Sequence, residues 1–419
     1  MRPRIAVSVM FILSCCPLLP ADELIAYPRV ASITAQDLRS GWTAWQGITN
    51  VEGQAHLKER AVALHVDAEG TVWVGTSRGR LFSKSAQHWM LEAKFEDLQI
   101  TGVATGVYVS HGKPVEGTVW LSTSDGILQL APIDAGWDVT RYRIYYEGHP
   151  GFVSGAYVPG EDAVRIWGYV DNILVPPGIA TYAPYVISKE HGLFAWGGYH
   201  GVWHHFLPHY WGGNSDWLDT RDLLPNRRPT CMIEDAQKNL WIGSENDGLL
   251  RMSAHARSFN TRSAEDNAKD GKEWARFRSD QLGYQFDIVR DVAPGALDGV
   301  WAALAGRDAR RRCVARYAEQ HWKTIPMPSF KRRIRGSTDY RQWRATPTSV
   351  CEPKPGLVFV GAEDTSTSRA ALYRLDWEDQ SFEPVPEVKY TVTKMEVAAD
   401  RLWAISWWGV YSFDLGGAR

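Results

Sequence analysis

Four residues of this sequence have the types needed for proton transfer on an acidic sugar. Tyr199 and His200 are neighbours in a predicted turn, and a His and a Tyr can act as base and acid in β-elimination from a uronic acid. An arginine such as Arg307 can neutralise the substrate carboxylate, and His149 is a further candidate base. These four residues are therefore the catalytic candidates if the chain is a polysaccharide lyase.

A larger set of charged and aromatic residues lies in or beside predicted turns and indicates a binding surface. Guanidinium groups bind carboxylate and sulfate through two hydrogen bonds, and aromatic rings stack on sugars. Acidic residues in turns also have a purely structural use, because they stabilise the turn itself. The ligand-binding candidates are Arg78, Asp125, Asp171, Glu245, Asp247, Arg332, Arg333, Arg335, Trp407 and Trp408.

The sequence predicts no metal ion and no cofactor. His204 and His205 are adjacent, and a strand would point them to opposite faces, so they cannot both bind one metal. The three cysteines that follow the N-terminal segment, Cys231, Cys313 and Cys351, are too few and too scattered for a disulfide framework and are expected as buried thiols.

These candidate residues depend on a repeated pair of strands. Residues 66–76 and 234–244 align, and in each an acidic turn precedes a strand with a central tryptophan, Trp73 or Trp241. Glycine then reverses the chain into a third strand. Weaker copies surround Trp120, Trp167, Trp196, Trp301, Phe359 and Trp403.

The segment 232–252 resembles the two-component regulator propeller repeat. This resemblance implies an all-β fold, a β-propeller of four-stranded blades. Eight copies of the hairpin predict eight blades, whereas the short distance between Trp167 and Trp196 leaves seven as the alternative. A kinase part is not recognisable in the sequence.

The ring is expected to close through the N-terminal strand. Residues 42–47 look like the fourth strand of a blade, as do residues 274–278, and the last blade lacks such a strand after its third. Pairing of the two ends would remove an exposed sheet edge. A single propeller domain is therefore predicted over residues 41–414.

Residues 1–21 have the pattern of a signal peptide, with Arg2 and Arg4 before an apolar stretch. A lipoprotein, with lipid attached at Cys15, is the alternative to simple cleavage. No later stretch is long enough to span a membrane. The chain is thus expected to be exported, as a periplasmic, secreted or outer-surface protein of a bacterium.

A formal net charge of -2 gives no overall attraction to nucleic acid, and export also argues against that partner. The leading hypothesis is an exported propeller that recognises a glycan or a cell-envelope protein through its turn face. The alternatives are a polysaccharide lyase or glycosidase acting on an acidic polysaccharide, and a sensor or partner domain for a separate membrane receptor.

Overall fold

A computed structural model describes residues 42–45, 60–85, 88–110, 113–134, 136–142, 170–176, 182–188, 192–197, 202–206, 228–245, 248–254, 274–277, 288–306, 311–333, 340–363, 371–388, 390–398, 401–406 and 409–415. Every structural statement below concerns these residues. None of them forms a helix long and apolar enough to cross a bilayer.

The described residues form seven four-stranded antiparallel sheets, the blades of a β-propeller, and one separate hairpin. The N-terminal strand β1 (Trp42–Trp45) belongs to the seventh blade. The first blade contains β2 (Ala61–Val66), β3 (Val72–Thr76), β4 (Arg80–Ser85) and β5 (His88–Lys94). The second contains β6 (Ile100–Ser110), β7 (Lys113–Thr123), β8 (Gly126–Ile133) and β9 (Gly136–Tyr142).

The next three blades follow the same order of strands. The third contains β10 (Asn172–Leu174), β11 (Tyr182–Ser188), β12 (Gly192–Gly197) and β13 (Val202–Phe206). The fourth contains β14 (Pro229–Glu234), β15 (Leu240–Ser244), β16 (Leu249–Met252) and β17 (Trp274–Phe277). The fifth contains β18 (Ile288–Pro294), β19 (Val300–Ala305), β20 (Arg312–Ala318) and β21 (His321–Pro326).

A hairpin of β22 (Ser329–Arg333) and β23 (Tyr340–Arg344) lies between the fifth and sixth blades in the chain. The sixth blade contains β24 (Thr346–Lys354), β25 (Leu357–Glu363), β26 (Leu372–Asp376) and β27 (Ser381–Pro384). The seventh contains β28 (Val392–Ala398), β29 (Arg401–Ser406), β30 (Gly409–Asp414) and β1.

The first strands of the seven blades form a closed inner ring. Each contacts the first strand of the next blade, in the order β2, β6, β10, β14, β18, β24, β28 and back to β2. Seven apolar clusters lie between adjacent blades, one at each interface. The core is therefore divided into wedges between blades, and each blade depends on both neighbours to bury its faces.

The acidic turn and the tryptophan of the repeat are joined by hydrogen bonds. Asp67 accepts the Thr71 amide at 2.7 Å and the Trp73 indole N–H at 2.9 Å. Asp235 repeats this with the Asn239 amide at 2.8 Å and the Trp241 indole at 2.7 Å. One carboxylate thus fixes the turn and satisfies the indole that the blade buries, which explains why the two residue types recur together.

In the fifth blade the carboxylate comes from the neighbouring blade. Glu352 of β24 accepts the Trp301 indole N–H at 2.6 Å and the Ala296 amide at 2.8 Å. Its other oxygen accepts the Gly356 amide at 2.8 Å. The same chemistry therefore ties the fifth blade to the sixth.

The glycine that follows the tryptophan by two residues makes room for the next blade. A Cβ at Gly243 would lie 2.6 Å from Val289 Cγ1 and 2.6 Å from Cys231 Sγ. Gly75 faces Ile100, and Gly361 faces the Val392 carbonyl, in the equivalent way. These three blades need glycine here because the first strand of the following blade packs directly against it.

The third blade differs from the sequence interpretation. Residues 193–197, with Trp196, were expected as a second strand, but β12 is the third strand of its blade and β11 is the second. The similarity of Phe-Ala-Trp-Gly to the tryptophan strands elsewhere explains the wrong assignment. The residues around Trp167 lie outside the described part of the chain.

The two ends of the described chain meet in the seventh blade. β1 pairs antiparallel with β30, with Trp42 opposite Phe413 and Trp45 opposite Val410. This is the position that the sequence predicts for the N-terminal strand.

Candidate functional site

A β-bulge interrupts the first strand of six blades at the same place. The register shifts across one residue near the start of each of these strands, so that residue is left out of the ladder. The bulge residues are Val62, Thr101, Thr230, Arg290, Thr348 and Thr393. All six keep some solvent exposure although they lie on the innermost strands, so they border the axial channel of the ring.

Three of the bulge threonines connect their blade to the next one. Thr101, Thr230 and Thr348 donate hydrogen bonds to the carbonyl oxygens of Val170, Val289 and Val392, respectively. These bonds run from one innermost strand to the next around the ring. The bulge therefore aims a hydroxyl across the interface between blades.

A network of titratable side chains connects the seventh blade to the first two. Glu396 of β28 accepts the Val66 amide at 2.7 Å, and its other oxygen lies 3.0 Å from Lys394 Nζ. His65 Nδ1 lies 3.4 Å from Glu396, and His65 Nε2 lies 2.9 Å from Thr105 Oγ1. Each of these residues comes from an innermost strand, so the network lies in the wall of the channel.

Two carboxyl groups of this wall have opposite pKa shifts. Burial alone would raise the pKa of Glu396, but Lys394 and His65 outweigh burial and hold that pKa at about 2. Burial raises the pKa of Asp291 to about 7, although the Val350 amide and Lys394 partly offset the effect. Asp291 accepts the Val350 amide at 3.0 Å, which joins the fifth blade to the sixth. The channel wall can therefore exchange a proton near neutral pH at Asp291 but not at Glu396.

The three described cysteines do not belong to this network. Cys231, Cys313 and Cys351 are buried and free, and burial raises the pKa of each thiol. No three His, Cys, Asp or Glu side chains within the described ranges come together as a metal site requires.

Four of the predicted binding residues lie on one face of the ring. Arg78 and Asp125 are in the turns between second and third strands, Glu245 follows β15 at the same kind of turn, and Asp171 precedes β10. Connections between blades emerge at the same end of the sheets as these turns. This end is called the turn face below.

Two acidic members of this group have partners within their own blades. Asp125 forms an ion pair with Arg141, and Glu245 lies 3.3 Å from Arg228 Nη1. Arg78 is exposed. The residues belong to different blades, so the structure distributes them around the ring rather than gathering them in one cluster.

Residues 75–79 also have the Gly-x-Ser-x-Gly spacing of a nucleophile elbow. They join two antiparallel strands rather than a strand and a helix, and Ser77 Oγ accepts a hydrogen bond from the Arg60 amide at 3.2 Å. This serine has a structural role in the turn.

The other predicted residues divide into two groups. Arg332 and Arg333 lie in β22, which pairs with β23 so that Arg332 is opposite Arg341. The two strands form a regular antiparallel hairpin. The remaining candidates lie outside the described residues: His149, Tyr199, His200, Asp247, Arg307, Arg335, Trp407 and Trp408.

A family model matches a short part of the chain. Residues 223–246, which include β14, the Asp235 turn and β15, match the family described as two component regulator propeller. No curated protein sequence matches the chain.

Solved structures share the fold of this chain. The extracellular domain of the putative hybrid two-component system BT3049 from B. thetaiotaomicron matches with a TM-score of 0.51 and 14% identity, over 85% of this chain and 40% of that one. YCF48 bound to a D1 peptide matches with a TM-score of 0.52 and 9% identity, over 89% and 97% of the two chains. Virginiamycin B lyase from Staphylococcus aureus matches with a TM-score of 0.50 and 10% identity, over 85% and 95%.

The residues of the channel wall were missed by sequence reasoning. His65, Asp291, Lys394 and Glu396 precede the tryptophan strands, where alternation predicts core residues. The usable signal was the presence of charged pairs inside a first strand, as in Arg290-Asp291 and Lys394-x-Glu396. Turns can be recognised in a sequence from their composition, whereas residues of an inner strand that face a channel cannot.

Proposed function

We propose that this chain is an exported binding module that recognises an acidic glycan of the cell envelope or its surroundings through the turn face. Residues 1–21 would direct export, with lipid attachment at Cys15 as the alternative to release. The extracellular origin of the BT3049 propeller is consistent with such a location.

The observation that carries the proposal is the basic hairpin, β22 and β23. Residues 329–344 contain Lys331, Arg332, Arg333, Arg335, Arg341 and Arg344 against one acidic residue, Asp339. Arg332 is directly opposite Arg341 in the ladder. Like charges at opposite positions destabilise a sheet, so a polyanion that neutralises them would be bound favourably.

The base of the hairpin is fixed to the ring. Phe330 packs against the core between the fifth and sixth blades. Arg344 donates to the Met327 carbonyl at 2.7 Å, and Arg312 donates to the Arg344 carbonyl at 2.5 Å. Two of the nearby arginines thus hold the hairpin, and Lys331, Arg332, Arg333 and Arg341 are the cations proposed to contact the ligand.

The test is retention of the purified protein on acidic polysaccharides, with a neutral polysaccharide as the reference. Salt should weaken retention, because it screens exposed charges. The variant Arg332→Ala/Arg333→Ala should lose most of it. The matched control, Lys238→Ala/Lys323→Ala, removes the same charge from the opposite face and should bind as the parent does.

The same samples test the two alternative functions. Release of unsaturated uronate would make the protein a polysaccharide lyase, with His200, Tyr199, His149 and Arg307 as the residues to substitute next. Equal retention of the parent and the Arg332→Ala/Arg333→Ala variant would contradict the role of the hairpin. Absence of any retention, with stable co-purification of a membrane protein, would favour the receptor-partner function.

A further inference from the structure

Arg290 occupies a bulge position at which most other blades have threonine. The six bulge residues of the inner ring include Thr101, Thr230, Thr348 and Thr393, and Val62 is the other exception. The hydroxyl groups of Thr101, Thr230 and Thr348 donate hydrogen bonds to the next blade. An arginine at this position therefore requires a separate explanation.

The fifth blade makes its connection to the sixth without residue 290. The neighbouring Asp291 accepts the Val350 amide at 3.0 Å, so the bond between innermost strands comes from the next residue along. Residue 290 is therefore not needed for the hydrogen bond to the next blade that threonine forms in other blades.

The side chain of Arg290 opens to the axial channel. β18 is flanked by β14 and β24 and paired with β19, and Val289 and Val292 are buried, whereas Arg290 is exposed. Because β18 is enclosed by these three strands and the bulge takes residue 290 out of the ladder, we infer that the Arg290 side chain reaches solvent at the axial channel. Arg290 forms no hydrogen bond or ion pair with any other described residue.

The charges around Arg290 leave an excess of positive charge in this wall. The Glu396 carboxylate is paired with Lys394 at 3.0 Å. Burial raises the pKa of Asp291 to about 7, so this carboxyl does not fully cancel the guanidinium at neutral pH. A guanidinium with no protein partner is suited to bind a carboxylate through two parallel hydrogen bonds.

We propose that Arg290 binds the carboxylate of an acidic sugar unit at the turn-face end of the channel. Residue 290 is the third of β18, and the first strands begin at the turn face, so the guanidinium lies toward that end. The inference rests on the proposed function and deepens it, because it assigns a single-residue site for one uronate unit, separate from the basic hairpin.

The experiment is calorimetric titration with glucuronate, with glucose as the neutral reference. The parent should bind glucuronate and not glucose. Arg290→Thr, which installs the residue found in the other blades and should preserve the bulge, is expected to weaken glucuronate binding at least about tenfold, as expected for loss of a charge-assisted hydrogen-bonded pair. Arg290→Lys keeps the charge without the planar fork and should bind with intermediate affinity.

The Arg332→Ala/Arg333→Ala variant separates this site from the hairpin. It should bind glucuronate as the parent does, even when its retention on polysaccharide is lost. Unchanged glucuronate affinity in Arg290→Thr, or no glucuronate binding by the parent, would overturn the inference. Glucuronate binding without polysaccharide retention would overturn the proposed function and leave the Arg290 site standing.

Discussion

Two carboxyl groups on the inner strands have pKa values that are shifted in opposite directions. Asp291 is destabilised as a carboxylate by burial, whereas Glu396 is stabilised as a carboxylate by Lys394 and His65. The difference follows from the partners, because both groups lie in the channel wall.

Asp291→Asn should make the protein more stable at alkaline pH. The pKa of Asp291 is raised from 3.8 to about 7, so this group lowers the stability of the parent as pH rises from about 4 to 7. The variant, which can still accept the Val350 amide, should be more stable than the parent by about 4 kcal/mol near pH 8 and nearly equal to it near pH 4. Chemical denaturation at the two pH values measures this, and a less stable variant at alkaline pH would contradict the burial argument.

Glu396→Gln should have the opposite effect. The pKa of Glu396 is lowered from 4.5 to about 2, so its contribution is fully present above about pH 4.5 and is lost as pH falls through about 2. At neutral pH the variant should lose about 2 kcal/mol of unfolding free energy, because the ion pair with Lys394 and the bond from Val66 are weakened. Denaturant titrations of the parent and the variant at descending pH should converge, and a constant difference would argue against ionisation as the cause.

The elements of the fold are set by a small number of close approaches between strands. In the fourth and sixth blades a glycine, Gly243 or Gly361, admits the first strand of the next blade, and a bulge threonine bonds to that strand. Both features act across blades, so a defect in one blade affects the interface with its neighbour.

Gly243→Ala should destabilise the ring at the interface of the fourth and fifth blades. The new methyl group would overlap Val289 and Cys231, both buried, and relief requires movement of β18. A loss of about 1–3 kcal/mol is expected, as for other insertions into a packed core. Thermal unfolding measures it, and an unchanged midpoint would show that β18 can move away at little cost.

Leu297→Asn should stabilise the turn between β18 and β19. Leu297 has a φ of 54° and its side chain is 59% exposed, so it has a left-handed backbone without compensating burial. Asparagine adopts this conformation more easily than leucine, and a gain of about 0.5–1 kcal/mol is expected. The matched variant Leu297→Val should be less stable than the parent, and the reverse order in denaturation experiments would contradict the turn argument.

The sequence predicted the hairpins well and the channel poorly, for one physical reason. Asp67 with Trp73 and Asp235 with Trp241 are local partners, so their spacing is visible in the chain. Two partners of Glu396, His65 and Val66, lie more than three hundred residues away, and the bulges change which side chains reach the channel. Trp196 was misplaced because its surroundings imitate a second strand while its blade uses it as the third.

At the scale of the whole molecule, the ring is closed by strand pairing within the seventh blade and by contacts between the seventh blade and the first. β1 pairs with β30, Glu396 accepts the Val66 amide, and an apolar cluster joins Trp403 and Ile405 to Leu64 and Val74. The seventh blade contains strands from both ends of the described chain.

Removal of residues 1–47 should lower the unfolding temperature and promote self-association. The deletion takes away β1 and exposes β30 as an edge strand, which other chains can pair with. Removal of residues 1–38 is the matched control and should leave both properties unchanged. Calorimetry and light scattering distinguish the two, and identical behaviour of both truncations would show that β1 does not support the ring.

The pairing of β1 with β30 also has a consequence for the order of events during folding. The first strand to leave the ribosome can find its partner only after the last blade has been synthesised, so ring closure is among the final steps. Because Trp42 lies opposite Phe413, a short linker from residue 415 to residue 41 would turn the two strands into an ordinary hairpin. A circular permutant built in this way, opened in the connection between the first two blades, would close its seventh blade locally and should fold faster than the natural order allows.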